Sequence, residues 1–150
     1  MRIAVGSDEK THLTDFVVAE IQRRDHEVEL VGPLKGEPLS WVDVGEQVAS
    51  AVATGRCQQG VVFCWTGTGV SIAANKVPGI RAALCSDAQT AEGAKKWDHA
   101  NVLAMSLRLT SEPVALEILD AWFKTECAPG EDAAIVGRLP RIEEKYRKSR

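Results

Sequence analysis

The chain has 150 residues, of which 45% are hydrophobic and 26% charged, and its formal net charge at pH 7 is -3. A chain of this length folds as one ordinary domain and buries enough surface to need no metal or disulfide staple. The small net charge argues against nucleic acid or an anionic membrane as a partner. Because the sequence contains neither a leader pattern nor a membrane-spanning apolar run, we expect a cytoplasmic globular protein.

Short apolar runs alternate along the chain with longer segments of helical period. The pattern predicts, in order, strand 2–5, helix 13–24, strand 28–31, helix 42–53, strand 61–64, helix 69–75, strand 80–85, helix 88–96, strand 102–105 and helix 112–123. Apolar strands separated by helices are typical of a parallel sheet covered on both faces. We therefore predict an α/β fold, a Rossmann-like three-layer α/β/α sandwich with a five-stranded parallel sheet.

The regular alternation ends at about residue 125. Residues 124–137 have the composition of a loop, and Pro140 opens a charged segment that predicts a terminal helix. The prediction is an α/β domain over residues 1–125, followed by a C-terminal loop and helical arm over residues 126–150. A polar arm of this kind is either solvated or docked on a neighbouring subunit.

Three segments are expected on one rim of the sheet, because ligands of such folds bind beyond the carboxyl ends of the strands. They are residues 6–8, 64–69 and 105–108. In the second segment, Gly67 and Gly69 allow the amides at the start of the next helix to converge on an anion. The spacing matches neither common phosphate-loop motif, so a purely structural tight turn is the alternative.

Three side chains on this rim are candidates for chemistry. Cys64 directly precedes the glycine turn, where a cysteine can serve as a base or nucleophile; a small buried hydrophobe is the alternative. Asp8 is either a ligand contact or a helix cap, and Arg108 either a phosphate contact or a solvated surface residue. The four cysteines contain no C-x-x-C pair and the three histidines have no metal-ligand spacing, so we predict reduced thiols and no metal site.

Four segments in this order carry a family resemblance: IAVGSD, FCWTGTGVSIAANKVPGIRAALC, DHANVLAMSLRLTSEPVALEILDAWF and GRLPRIEEKY. They resemble the sugar-phosphate isomerases that include type B ribose-5-phosphate isomerase and the galactose-6-phosphate isomerase subunits. The resemblance spans residues 1–125 well and the tail loosely. It implies an aldose–ketose isomerase of small sugars or sugar phosphates that needs no cofactor or metal. It also implies a homodimer or dimer of dimers in which a neighbouring subunit completes each active site.

The resemblance also implies roles for individual residues. Cys64 matches the catalytic cysteine that moves a proton between C1 and C2 through a cis-enediolate. Asp8 matches an aspartate that contacts substrate hydroxyls, and Arg108 a phosphate-binding arginine. The loop whose amides hold the enediolate oxygen is matched by Thr66, Gly67, Thr68 and Gly69, with Thr66 placed beside Cys64 in the catalytic set.

The chain departs from the family pattern at several expected substrate contacts. Glu9 replaces a histidine of the first loop. Trp97, followed by Asp98, replaces the histidine associated with opening the sugar ring. Trp65 replaces a glycine and narrows the pocket beside the base. The tail arginines are matched only loosely, by Arg138 and Arg141.

These departures affect ring opening and phosphate binding and leave the proton-transfer residues intact. They favour an open-chain substrate, such as a four-carbon aldose or ketose phosphate, over ribose 5-phosphate. A sugar acid or a non-phosphorylated sugar is a further possibility. Two other functions stay open: a catalytically silent paralogue that binds a sugar phosphate, and a flavodoxin-like nucleotide-binding module, against which the absent phosphate-loop motifs argue.

Overall fold

The computed structural model describes residues 1–147. The strands are β1 (Arg2–Ser7), β2 (Glu27–Val31), β3 (Gln59–Cys64), β4 (Ala82–Leu84) and β5 (Val102–Ser106). The helices are α1 (His12–Arg23), α2 (Trp41–Ala53), α3 (Thr68–Asn75), α4 (Ala88–Lys96), α5 (Glu112–Lys124), α6 (Glu131–Val136) and α7 (Leu139–Tyr146), with a 3-10 turn at Gly32–Lys35. Among these residues, no helix combines the length and apolarity needed to cross a bilayer.

The five strands form one parallel sheet in the order β2-β1-β3-β5-β4. Two separate clusters of buried side chains cover its faces. One cluster joins the sheet to α1, α4 and α5, and the other joins it to α2 and α3. The predicted three-layer α/β/α sandwich with a five-stranded parallel sheet is therefore confirmed.

Two asparagine side chains hold edge strand β4, and one of them belongs to the run SIAANKVPGIRAALC that contains the strand. The Asn75 side chain accepts a hydrogen bond from the Ala82 amide at 2.8 Å and donates one to the Ala82 carbonyl at 2.9 Å. Asn101 does the same for the residues before the strand, accepting from the Arg81 amide at 2.8 Å and donating to the Gly79 carbonyl at 3.0 Å. These side chains satisfy backbone groups that an edge strand leaves without a ladder partner.

Two local predictions were wrong in extent. The strand predicted over 80–85 is limited to Ala82–Leu84, because the residues before it bond to the asparagine side chains. The segment predicted as a loop over 124–137 contains the six-residue helix α6, which begins after Gly130. The predicted terminal helix is present as α7, and residues 148–150 of the predicted arm lie outside the described residues. The division into a domain and an arm stays a prediction.

Candidate active site

The carboxyl ends of the three central strands meet on one rim, as the sequence predicts. In the sheet register, Ser7 of β1 lies beside Phe63 of β3, and Cys64 lies beside Ser106 of β5. The chain leaves each strand at this rim, so Asp8 and the Cys64–Gly69 turn are neighbours although 56 residues separate Asp8 from Cys64 in sequence.

Cys64 and Trp65 are held in place by the turn that follows β5. The Leu107 amide donates a hydrogen bond to the Cys64 carbonyl at 3.0 Å, and the Arg108 amide donates to the Trp65 carbonyl at 3.0 Å. The buried Ser106 hydroxyl donates a second bond to the Trp65 carbonyl, also at 3.0 Å. Three hydrogen bonds from one turn therefore fix the backbone that carries the cysteine.

A cavity of about 310 Å³ opens at this point of the rim. It is lined by Asp8, Trp41, Cys64, Trp65, Thr66, Thr68 and Gly69. Cys64 is otherwise buried, with 5% of its surface exposed. Partial burial raises the pKa of the Asp8 carboxyl above its usual range, and the charge of Glu9 adds to the shift. A carboxyl and a thiol thus share one small cavity.

The turn after Cys64 has the geometry of an anion-binding helix start. Gly67 caps α3 in the left-handed conformation, with φ of 77°, and has no side chain to bond the first-turn amides. The cavity is lined by Thr68 and Gly69, the first two residues of that helix. The positive end of the helix dipole therefore faces the space into which Cys64 opens.

Gly67 is required in this turn for steric reasons as well. A Cβ added there would lie 2.9 Å from the carbonyl carbon and oxygen of Met105 and 2.6 Å from a methyl group of Leu84. The turn is thus pressed against the end of β5. Beyond it, the hydroxyls of Thr66 and Thr68 lie 2.6 Å apart, which orders the side chains that line the mouth of the cavity.

The other cysteines are unsuited to act as thiolates at neutral pH or lie away from the cavity. Burial raises the pKa of Cys57 to about 11, and a hydrogen bond to Glu29 adds to the effect. Burial raises the pKa of Cys85 to about 12. Cys127 is exposed in the segment before α6. Cys64 is therefore the cysteine whose position allows chemistry at this rim.

Trp65 separates the cavity beside Cys64 from a second cavity. The second cavity, of about 380 Å³, lies between the starts of α1 and α5 and is lined by Thr11, His12, Leu13, Trp65, Leu107, Thr110, Ser111 and Glu112. Trp65 is the residue that the two linings share. Its side chain is 60% exposed, so the indole stands as a wall at the rim and not as part of the core.

Trp41 is the cavity residue that the sequence analysis missed. It is the first residue of α2 and lines the cavity together with Cys64. A Cβ added to Gly69 would lie 2.8 Å from the indole, so the ring rests against the first turn of α3. The signal available in the sequence was only an aromatic residue after a helix-capping Ser40, which is too common a pattern to indicate a site.

Five predicted contacts are not brought to Cys64 within one chain. Trp97 and Asp98 precede β5 and therefore lie at the opposite rim, about 13 Å or more along the strand from Ser106. Asp98 lines a cavity there with Leu139, Ile142 and Glu143 of α7. The exposed Arg141 belongs to the same helix, and Arg138 immediately precedes it. Glu9 is exposed beside Asp8 and does not line the cavity beside Cys64.

Arg108 lies on the same rim as Cys64 but does not line its cavity. Its amide belongs to the turn that holds Trp65, but its side chain is exposed and is not part of the cavity lining. The structure thus brings together Asp8, Cys64, Trp65 and the Thr66–Gly69 turn, and it places Glu9 and Arg108 at their edge. The other predicted contacts lie on the far rim or on the arm: Trp97, Asp98, Arg138 and Arg141.

Several known proteins resemble this chain over most of its length. The family model described as Ribose/Galactose Isomerase matches residues 3–139. The ribose-5-P isomerase B of Listeria innocua is 30% identical over 98% of this chain and 100% of its own length. The D-erythrulose-4-phosphate isomerase of Pectobacterium atrosepticum is 34% identical over 95% of this chain and 91% of its own length. The structure of Clostridium thermocellum ribose-5-phosphate isomerase B superposes with a TM-score of 0.91 at 41% identity, covering 97% of this chain and 99% of that one.

Proposed function

The chain belongs to the ribose/galactose isomerase family, and from this premise we propose that Cys64 moves a proton between C1 and C2 of a short open-chain sugar phosphate. Membership confirms the prediction of an aldose–ketose isomerase. The observation that carries the proposal is that the Cys64 thiol and the first turn of α3 line the same small cavity.

Each part of the cavity corresponds to one need of the reaction. The Cys64 thiolate takes the proton from C2 of the aldose, and the electron pair of that C–H bond moves into the new C1–C2 double bond while the carbonyl oxygen becomes an oxyanion. The amides at the start of α3 stabilise this enediolate, a contribution of about 3–4 kcal/mol per well-placed donor. Return of the proton to C1 gives the ketose. We assign to the Thr66 hydroxyl the exchange of the remaining proton between O1 and O2.

A four-carbon phosphate fits this cavity better than ribose 5-phosphate. With its phosphate on O4, a four-carbon sugar has no free hydroxyl with which to close a furanose, so no ring-opening acid is needed. Trp65 stands where the family has a glycine, and the lining of about 310 Å³ holds Trp41 as well. A relative of comparable identity is itself a D-erythrulose-4-phosphate isomerase. Trp97, which stands where the family has the ring-opening histidine, is not in the lining of its own chain's cavity.

The substrate panel that tests this proposal compares D-erythrulose 4-phosphate, D-ribulose 5-phosphate and a six-carbon ketose phosphate, with D-ribose 5-phosphate as the substrate that must first open a ring. We expect kcat/KM to be about 10-fold or more higher for the four-carbon sugar, in line with what one chain unit is worth in a fitted pocket. Trp65→Gly joins the two cavities and is expected to raise kcat/KM for the five-carbon sugar. Trp65→Phe keeps an aromatic ring between the cavities and is expected to keep the preference for the four-carbon sugar. Equal or better activity of the wild type on ribulose 5-phosphate would overturn the four-carbon assignment. Absence of turnover on every sugar would favour the catalytically silent paralogue.

We propose further that a second subunit completes the site. The support is that the predicted contacts form two groups on opposite rims: Asp8 and Cys64 on one, Asp98 and the arm on the other. A symmetric dimer can bring the two groups together, as a single chain of this shape cannot. The arm also carries apolar side chains left in solvent, with Ile142 at 54% and Tyr146 at 71% exposed.

Mixing two inactive variants tests the shared site. Cys64→Ala refolded with an equal amount of the double variant Arg138→Ala, Arg141→Ala is expected to recover about a quarter of wild-type activity, because half the dimers then contain one intact site. Cys64→Ala mixed with Asp8→Ala, which damages the same rim, is the matched control and should recover none. Equal recovery of activity in the two mixtures would contradict a shared site.

A further inference from the structure

Trp41 occupies a position that the reaction scheme above does not use. Its indole lines the cavity beside Cys64, yet it carries no group that could serve as the acid or base of a proton transfer. It is 42% exposed, so it is not simply a core residue. Its contact with Gly69 places it against the helix turn proposed to hold the enediolate oxygen.

The packing of two helices fixes this position. Gly45 of α2 faces α3 so closely that an added Cβ would lie 2.7 Å from the Cβ of Ala73 and 3.0 Å from the Val70 carbonyl oxygen. The start of α2 is held by Ser40, whose hydroxyl accepts a bond from the Asp43 amide at 3.2 Å. Close helix packing and a capped first turn fix the backbone that carries the indole against the start of α3.

Trp41 and Trp65 enclose the cavity from two sides of the sheet. Trp41 comes from α2, which packs on the same face as α3. Trp65 also contacts the space between α1 and α5, which pack on the opposite face. We therefore place the reacting carbons between the two indoles. The indole of Trp41 is the one that lies against Gly69, in the helix turn proposed to hold the enediolate oxygen.

We propose that Trp41 sets substrate length in this chain together with Trp65, by filling the space beside Gly69 that a fifth carbon needs. The inference rests on the proposed function and adds a specificity-determining residue to it. An indole is larger than one hydroxymethylene unit, so its removal makes room for at least one more carbon. Trp41 acts on the ratio of rates for long and short substrates and not on proton transfer itself.

The test compares Trp41→Ala and Trp41→Phe with Val42→Ala, a neighbouring exposed residue outside the cavity lining. We expect Trp41→Ala to raise the five-carbon to four-carbon ratio of kcat/KM by about 10-fold or more, and Trp41→Phe to raise it less. Val42→Ala should leave the ratio within about 2-fold. An unchanged ratio in Trp41→Ala, with both rates lowered equally, would overturn the inference.

Binding of unreactive ligands separates this inference from the proposed function. The four- and five-carbon aldonic acid phosphates carry a carboxylate in place of the aldehyde, and calorimetry measures their affinities without turnover. A wild type that turns over neither sugar would defeat the proposed function. A shift of ligand preference toward five carbons in Trp41→Ala would still support the inference, and an unshifted preference would reject it.

A double substitution checks that the ring rests on Gly69 in solution. Gly69→Ala places a methyl group 2.8 Å from the indole, at a helical position where alanine itself is not strained. We expect Gly69→Ala to lower four-carbon kcat/KM about 10-fold in the wild-type background and less than about 3-fold in Trp41→Ala. Equal losses in the two backgrounds would show that the ring is not the obstacle and would overturn the inference.

Discussion

Cys64→Ala is expected to lower kcat for the aldose–ketose interconversion about 10³-fold while KM changes by less than about 3-fold. A positioned general base contributes roughly 10²–10⁴-fold to a proton transfer, and alanine removes the base without filling or blocking the cavity. Steady-state kinetics on the preferred four-carbon substrate measures both constants. The loss should fall on kcat, since the thiol contributes to the transition state more than to ground-state binding.

The matched control for Cys64 is Cys57→Ala. Both cysteines are buried, but Cys57 bonds Glu29 and lies outside the cavity lining. We expect Cys57→Ala to keep its activity within about 2-fold, even if it loses some stability. A Cys64→Ala enzyme with near wild-type kcat would contradict the assignment of the base.

Gly67→Ala is expected to remove both activity and stability. The residue has φ of 77°, and its added Cβ would lie 2.9 Å from the Met105 backbone, which cannot move without shifting β5. The left-handed conformation costs alanine about 1–2 kcal/mol, and the backbone contact adds to this. We expect the free energy of unfolding to fall by about 3 kcal/mol, which lowers Tm by about 6–12 °C.

The same substitution displaces the first turn of α3, whose amides are proposed to stabilise the enediolate. The kcat should therefore fall about 10²–10³-fold in the protein that remains folded. Gly55→Ala provides the matched control, because Gly55 has φ of 81° but its Cβ would meet no atom of residues 1–147 within 4 Å. The free energy of unfolding of Gly55→Ala should fall by only about 1 kcal/mol, the cost of the left-handed conformation, and the variant should keep full activity. Thermal unfolding and kinetics on both variants measure the difference. Identical Tm values for the two variants would contradict the steric role of Gly67.

The sheet and its active rim were predictable from the sequence because their signals are local. The apolar strands alternate with amphipathic helices, and the carboxyl ends of parallel strands lie together by topology alone. This was sufficient to group Asp8 with Cys64 and the glycine turn. The Thr-Gly-Thr-Gly stretch itself indicates a helix start, and the structure has the start of α3 there.

The remaining features depend on contacts between distant parts of the chain. Trp41 reaches the cavity only because Gly45 lets α2 approach α3, and no pattern near Trp41 records this. The short helix α6 has too few residues to show a helical period. Asp98 and the arm were grouped with Cys64 by resemblance alone, and the fold places them on the other rim of the same chain.

The most direct test of the central claim is deuterium incorporation during turnover, followed by NMR. Wild-type enzyme in deuterated buffer, given four-, five- and six-carbon sugar phosphates one at a time, is predicted to introduce deuterium at C1 or C2 of the four-carbon sugar fastest. Cys64→Ala, folded to the same extent by circular dichroism, is predicted to introduce deuterium about 10³-fold more slowly. Deuterium incorporation at the wild-type rate in Cys64→Ala would contradict proton transfer by Cys64.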